Sequence, residues 1–333
     1  MAMQTDGIAN RLVTETPIAV FDFETTGLIP GLDRVVEVSV MRKEPGAEAT
    51  LVLDTLVNPQ RSVAATEIHG ITDDDVVDAP TFEEIAGDVL RALSGCVAAA
   101  YNVYFDMRFL DDELQRVGID DSPPYFCLMY MRPLLGLGKR CSLGEACKAH
   151  DIDYDSAHVA MSDVRSSMQL LEFYLDEMRA RDVATFGDFA RLKPYKFMDS
   201  FHRLPIPSSE ARSPEGRARL KPRGVQPVPK EGVPPEMPTG GVSIIAGRPV
   251  GDYWEVLKAA VCDLEITEDE LRILKKKKRD LGLQVEQVRA LHARIFAGVI
   301  SRFVDDQRID ERERNKLYRL HRCLSQLGWA PGE

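Results

Sequence analysis

FDFETTGL, residues 21–28, is the stretch on which the reading of this chain turns. Ile18, Val20, Phe21 and Phe23 are strand formers, yet Asp22 and Glu24 stand among them. Side chains two apart on a strand share a face, so the two acids project together from the C-terminal end of the strand. Carboxylates this close repel and tend to keep a proton unless a cation lies between them. A solvated strand end is the plain reading of one such pair, and a cation site is the other.

Two further segments add to the acids. In AYNVYFDMRFL (100–110) a strand ends and Asp106 opens a helix, where any protein stabilises an anion. In HVAMSD (158–163), His158 and Asp163 are five residues apart. On a regular helix that spacing separates side chains by about 140°. The pair therefore shares a site only if His158 lies on the loop entering the helix, and the turn-like DIDYDSA before it allows this. Four carboxylates, Asp22, Glu24, Asp106 and Asp163, are enough for two divalent ions, and hard oxygen ligands select Mg²⁺ or Mn²⁺. Two such ions about 4 Å apart clamp the attacking and leaving oxygens of a phosphoryl displacement. Histidine, with an ordinary pKa of about 6.5, accepts the proton of the attacking water. The set is that of a phosphodiesterase.

FDFETTGL, NVYFD and HVAMSD resemble, in order and spacing, the three exonuclease motifs of the DEDD superfamily, and the histidine form of the third is that of the DEDDh class. That class holds proofreading epsilon subunits, ribonuclease T and oligoribonuclease. DRVVEVSV, VNP (57–59) and IHGITDDDV (68–76) extend the likeness over residues 17–180. The resemblance implies a ribonuclease H-like α/β fold with a mixed five-stranded sheet, and removal of nucleotides from a 3′ end as 5′-monophosphates. Carried onto this chain, it makes Asp22, Glu24, Asp106 and Asp163 the metal ligands and His158 the general base. Thr25, Thr26, Gly27 and Leu28 then line the terminal-nucleotide pocket, with Gly27 admitting the sugar and Leu28 wedging a base. His69 and Phe105 become substrate neighbours, although Phe105 reads equally well as core. Asn102 enters the second helix as a hydrogen bonder, and Tyr101 stands where the class often has histidine.

The 333 residues are enough for about two domains. With 44% hydrophobic and 29% charged residues the chain reads as a soluble globular protein, and its net charge of −11 argues against a broad basic surface for duplex nucleic acid. The first 17 residues lack the basic start and apolar run of a signal peptide, and no membrane span is expected, which reads as cytoplasmic. The six cysteines form no CxxC pair, so neither a disulfide scaffold nor a zinc site is indicated.

PIAVFDFET, RVVEVSVM and TLVLDTLV read as a strand meander. Helices are predicted over 81–94, with Thr81 and Glu84 as a capping box, over 105–117 and over 159–180, with a strand at 96–101. Nine of the 20 prolines then fall between Pro205 and Pro238, among Ser, Gly, Arg and Lys. The expected organisation is an exonuclease domain over 1–203, a Pro-rich basic linker over 204–248 and a smaller all-helical domain over 249–333. The linker cations Arg212, Arg217, Arg219, Lys221 and Arg223 read as solvated or as brushing nucleic acid.

The last domain holds a repeat: VCDLEITEDEL (261–271) aligns with VDDQRIDERER (304–314). Thr267 with Glu270, and Asp310 with Glu313, read as capping boxes that mark two helix starts; a metal or partner site built from the same acids is the other reading. The arrangement resembles the small helical domains of the tellurite-resistance-B-like group, with Leu264 and Gln307 where that group often has glycine. Lys275 to Lys278 with Arg279 read as a solvated helix face or a phosphate-contact patch.

The expectation is a metal-dependent 3′ to 5′ exonuclease acting on single-stranded ends, DNA favoured over RNA, with two Mg²⁺ or Mn²⁺ ions and a protein partner for the helical domain. RNA 3′-end trimming is the near alternative. A nucleic-acid-binding adaptor that recruits partners through the helical domain is the alternative of a different class.

Overall fold

The computed structural model describes residues 7–63, 65–154, 158–207, 220–223, 248–261, 268–293, 296 and 311–328. The expected meander forms as β1 (Ile18–Thr25), β2 (Val35–Lys43) and β3 (Thr50–Leu56). Short helices α1 (Thr66–His69) and α2 (Asp73–Val76) precede α3 (Phe82–Leu93), which starts on the expected box: Thr81 Oγ1 accepts from Glu84 N–H, and the Glu84 carboxylate accepts from Thr81 N–H. β4 (Val97–Ala100), α4 (Val103–Arg116) and β5 (Tyr125–Cys127) follow. α5 (Leu128–Leu134), α6 (Leu143–Ala149), α7 (Ala160–Ala180) and α8 (Phe186–Leu192) complete the first body.

The sheet has five strands in the order β3-β2-β1-β4-β5. β1 is central, antiparallel to β2 and parallel to β4, and β4 is parallel to β5. This is the mixed sheet of the ribonuclease H-like class. Helix α7 lies across β1 and β2, and α3 packs on β2 and β3. Covered on both sides, β1 has no solvent face to make polar, which is why its apolar residues run on without alternation. Of its eight residues only Asp22 is not fully buried.

Two features of β1 open a site at its C-terminal end. Its pairing with β4 runs only from Ile18 to Val20, and beyond that the Asp106 carboxylate accepts the Phe23 N–H at 3.2 Å. A buried backbone donor must find a partner, and the helix-opening acid of α4 supplies it. On the other side Glu24 pairs with Glu37 but Thr25 with Val35, a bulge that re-aims the strand end.

Phe126 of β5 packs on Phe186 and Phe189 of α8, and the aromatic cluster continues through Phe197 to Phe201. Arg34 and Glu113 lock the entry of β2 to α4 through a two-pronged pair at 2.7 and 2.8 Å, and Glu113 also accepts the Val35 N–H.

A smaller all-α region follows, with α9 (Arg248–Val261), α10 (Glu268–Asp280), α11 over 285–293 and α12 (Glu311–Gln326). α10 and α12 begin at the points where the internal repeat places helix starts; the capping residues Thr267 and Asp310 lie outside the described residues. Tyr253, Trp254, Leu257 and Ala260 of α9 join the core of the first body, and α9 touches α1 and α4. Lys277 pairs with Glu145 of α6 at 2.9 Å. This lysine of the basic run is thus engaged with the first body, while Lys275, Lys276 and Arg279 are exposed. Among the described residues no helix is long and apolar enough to cross a membrane.

Candidate active site

The end of β1 and the start of α7 converge. Each of Glu24, His158 and Asp163 offers a ligand atom within 4.8 Å of the others, and all three are buried. The spacing of His158 and Asp163 is resolved as the sequence requires. α7 begins at Ala160, and His158 stands before it in a left-handed conformation, φ 62°. The His158 N–H donates to Asp163 Oδ2 at 3.3 Å, and the Ala160 N–H donates to Glu37 Oε2 at 3.1 Å. The first residue of α7 is therefore held by Glu37, and the loop entering the helix by Asp163.

Burial pushes the Glu24 carboxyl well above its ordinary range; the Lys258 ammonium pulls it back, and Asp22, Asp163 and Glu37 push it further up. Asp22 thus flanks the cluster through its charge, while an Asp106 oxygen is turned to the β1 backbone. Crowded, desolvated carboxylates beside an imidazole are a set that a divalent cation would relieve, and hard oxygens suit Mg²⁺ or Mn²⁺. The residues present fit such an ion.

His69 is buried and its Nδ1 accepts the Ile71 N–H at 3.0 Å. Burial, then Arg223 and His158, bring its pKa down to about 3. It is neutral at physiological pH, with its proton on Nε2. Phe105 is wholly buried, stacked at a tilt on Phe109 with the ring centres 4.8 Å apart, and carries the Lys258 ammonium over its face. Asn102 precedes α4 but makes no side-chain cap, and its Nδ2 has no hydrogen-bond partner among the described residues. Tyr101 donates its hydroxyl to the carbonyls of Cys141 and Ser142, so the departure from the class at this position is absorbed in a loop anchor.

The TTGL segment is held by an acid that the sequence did not single out. Asp33 accepts from the Thr26 hydroxyl at 3.1 Å and from the Ile29 N–H at 3.0 Å. A β-carbon on Gly27 would lie 2.5 Å from the Asp33 carboxylate, so glycine is needed here for this internal contact. Thr25 Oγ1 donates to the Gly27 carbonyl at 2.6 Å. Leu28 is fully buried, and no base could stack on it in this conformation.

Sequence reasoning also passed over Glu37 and Lys258, and read Arg223 only as a linker cation. Glu37 could have been found, since an acid inside VVEVSV on a strand covered on both faces needs a partner as much as Asp22 and Glu24 do. Arg223 and Lys258 carry no local signal, because they reach the site from distant segments. Two short pieces of the stretch 204–248 touch the first body: Ile206 is buried in its core, and residues 220–223 are hydrogen-bonded to it.

The fold and the converging side chains define a ribonuclease H-like domain with an acidic, histidine-bearing site. Residues 19–171 match the exonuclease family model. A DNA polymerase III subunit epsilon-like protein of Rhodobacter capsulatus is 32% identical over 187 residues, which cover 53% of this chain and 27% of the relative. The PolC-type DNA polymerase III of Bacillus subtilis is 33% identical over 168 residues, 49% of this chain and 12% of the relative. The chain thus spans about a quarter or less of the length of these curated relatives. Among solved structures, E. coli Exonuclease I in complex with a dT13 oligonucleotide overlaps 50% of this chain and 43% of its own at 20% identity, with a TM-score of 0.42.

Proposed function

We propose that the protein is a metal-dependent 3′ to 5′ exonuclease that releases 5′-mononucleotides from single-stranded DNA ends. The observation that carries this reading is the meeting of Glu24, His158 and Asp163 at the bulged end of β1, inside an exonuclease-family domain. The DNA polymerase III names of the relatives favour DNA over RNA as substrate.

Asp22, Glu24, Asp106 and Asp163 would hold two divalent ions, which when bound supply positive charge to the phosphate oxygens under attack. His158, fixed off the start of α7, takes the proton of the attacking water as general base. The neutral His69 offers a hydrogen bond without adding charge. Gly27 and its neighbours form the wall for the terminal nucleotide, a role for Leu28 requiring that the segment open. The helical region, which resembles the tellurite-resistance-B-like group, serves as the partner-binding module.

The test is degradation of 3′-labelled and 5′-labelled single-stranded DNA and RNA oligonucleotides by the full chain with Mg²⁺, Mn²⁺ or EDTA. A metal-dependent ladder from the 3′ end, faster on DNA, is expected. A folded protein that cleaves neither strand would reject the reading in favour of an adaptor, and faster cleavage of RNA would reject the DNA assignment.

A further inference from the structure

We infer that Arg223, from the basic segment between the two bodies, is a positioning residue for His158. The inference rests on the reading of His158 as the general base and extends it to a residue 65 positions away.

The segment 220–223 is docked on the end of the sheet. The Lys221 N–H donates to Thr55 Oγ1 at 2.8 Å, the Leu56 N–H donates to the Lys221 carbonyl at 2.8 Å, and Lys221 Nζ reaches the Asp75 carbonyl at 2.8 Å. Residues at the end of β3 thus gain a short extra run of backbone, much as an added strand would supply it. Two residues on, the guanidinium turns inward. Nη1 donates to Glu37 Oε2 at 3.2 Å and to the His158 carbonyl at 3.4 Å, and Nη2 donates to the His69 carbonyl.

These partners are the ones the site needs held. The backbone of His158 is left-handed, which costs a residue with a β-carbon about 1 kcal/mol and persists only where the surroundings impose it. They do so from both sides: its N–H is bound by Asp163 and its carbonyl by Arg223. Glu37 is fully buried, accepts from the first turn of α7, and takes its ion pair from the same guanidinium. One planar, forked group therefore ties β2, α1 and the loop carrying His158 into a single geometry. An ammonium could pair with Glu37 but could not reach all three oxygens at once.

The test uses the full chain and the variants Arg223→Ala and Arg223→Lys, with two readouts. The first is steady-state cleavage of a 3′-labelled single-stranded oligonucleotide at a temperature where circular dichroism shows each variant folded. Both variants are expected to lose about 30- to 100-fold in kcat with KM within threefold, while Arg223→Lys recovers most of the thermal stability lost in Arg223→Ala. The second is histidine-selective ring NMR, which does not depend on activity. The His158 signal, assigned by its loss in His158→Ala, is expected to be single in the parent and split or broadened in both variants, while that of His321, on α12, is unchanged. A His158 signal unaltered by either substitution overturns the inference, as does a kcat within twofold of the parent. A parent that cleaves nothing rejects the nuclease reading, and the NMR result then still decides whether Arg223 orders His158.

Discussion

The Lys258 ammonium lies 4.4 Å from the centre of the Phe105 ring. Lys258 belongs to α9, is almost wholly buried, and is the positive charge that most offsets the raised pKa of Glu24. It therefore competes for the acidic pocket with any divalent ion. A like charge acting on the same carboxylate opposes an incoming cation by on the order of 1 kcal/mol. Lys258→Met is expected to lower the Mg²⁺ concentration for half-maximal cleavage about five- to tenfold. A titration of rate against Mg²⁺ checks this, and an unchanged or higher midpoint would refute it.

Glu24→Gln should abolish cleavage and, without metal, raise the melting temperature at pH 8. Burial raises the folded-state pKa of Glu24 above its unfolded value, so the folded chain holds the proton more tightly. The ionised carboxylate costs stability as pH climbs past the unfolded pKa, and the cost disappears below it. Each tenfold gain in proton affinity on folding corresponds to about 1.4 kcal/mol, or roughly 2–4 °C for a domain of this size. Differential scanning calorimetry at pH 5 and pH 8 in EDTA reads the effect. A gap between variant and parent that widens toward pH 5 contradicts the assignment.

Replacing His158 separates its ring from its backbone. His158→Ala should cut kcat by about 10²-fold or more at neutral pH, as expected for loss of a general base. His158→Gly should be equally inactive yet more stable than His158→Ala by about 1 kcal/mol, because glycine accepts φ 62° without penalty. Equal stability of the two variants would show that the left-handed turn relaxes in solution.

Gly27→Ala is expected to destabilise the TTGL wall by about 1–3 kcal/mol, the usual cost of overpacking, since the new methyl would fall on the Asp33 carboxylate. Adding Asp33→Ala removes the obstruction along with the hydrogen bonds to Thr26 and Ile29 and the ion pair to Arg61, so the double variant should lose less than the sum of the singles. Urea denaturation of the three proteins tests the coupling, and strict additivity would place the clash elsewhere.

Strands β1 to β4 and helices α3, α4 and α7 were legible because each advertises itself locally. β1 runs apolar, α3 carries its Thr81 box, and the His158–Asp163 spacing dictated where α7 could start. The order of the elements, a run of strands and then helices alternating with strands, implies a mixed sheet, and the motif resemblance gives it five strands. What escaped was long-range. Glu37 sat in plain view within an apolar strand, but its partner Arg223 lay 186 residues away in a segment that reads as solvated. Lys258 likewise looks like any helix lysine until α9 is seen against α1 and α4. Gly27 was expected to make room for a sugar, and the structure shows a nearer reason in Asp33, which motif matching passes over because the acid lies six residues on.

The buried face of α9 has a thermodynamic corollary. Tyr253, Trp254 and Leu257 share one apolar core with the first body, and the same helix carries the Lys258 charge that acts on Glu24. The seating of the helical region is therefore coupled to the charge that Glu24 carries. By linkage, whatever alters that charge alters the free energy of seating α9 by the same amount.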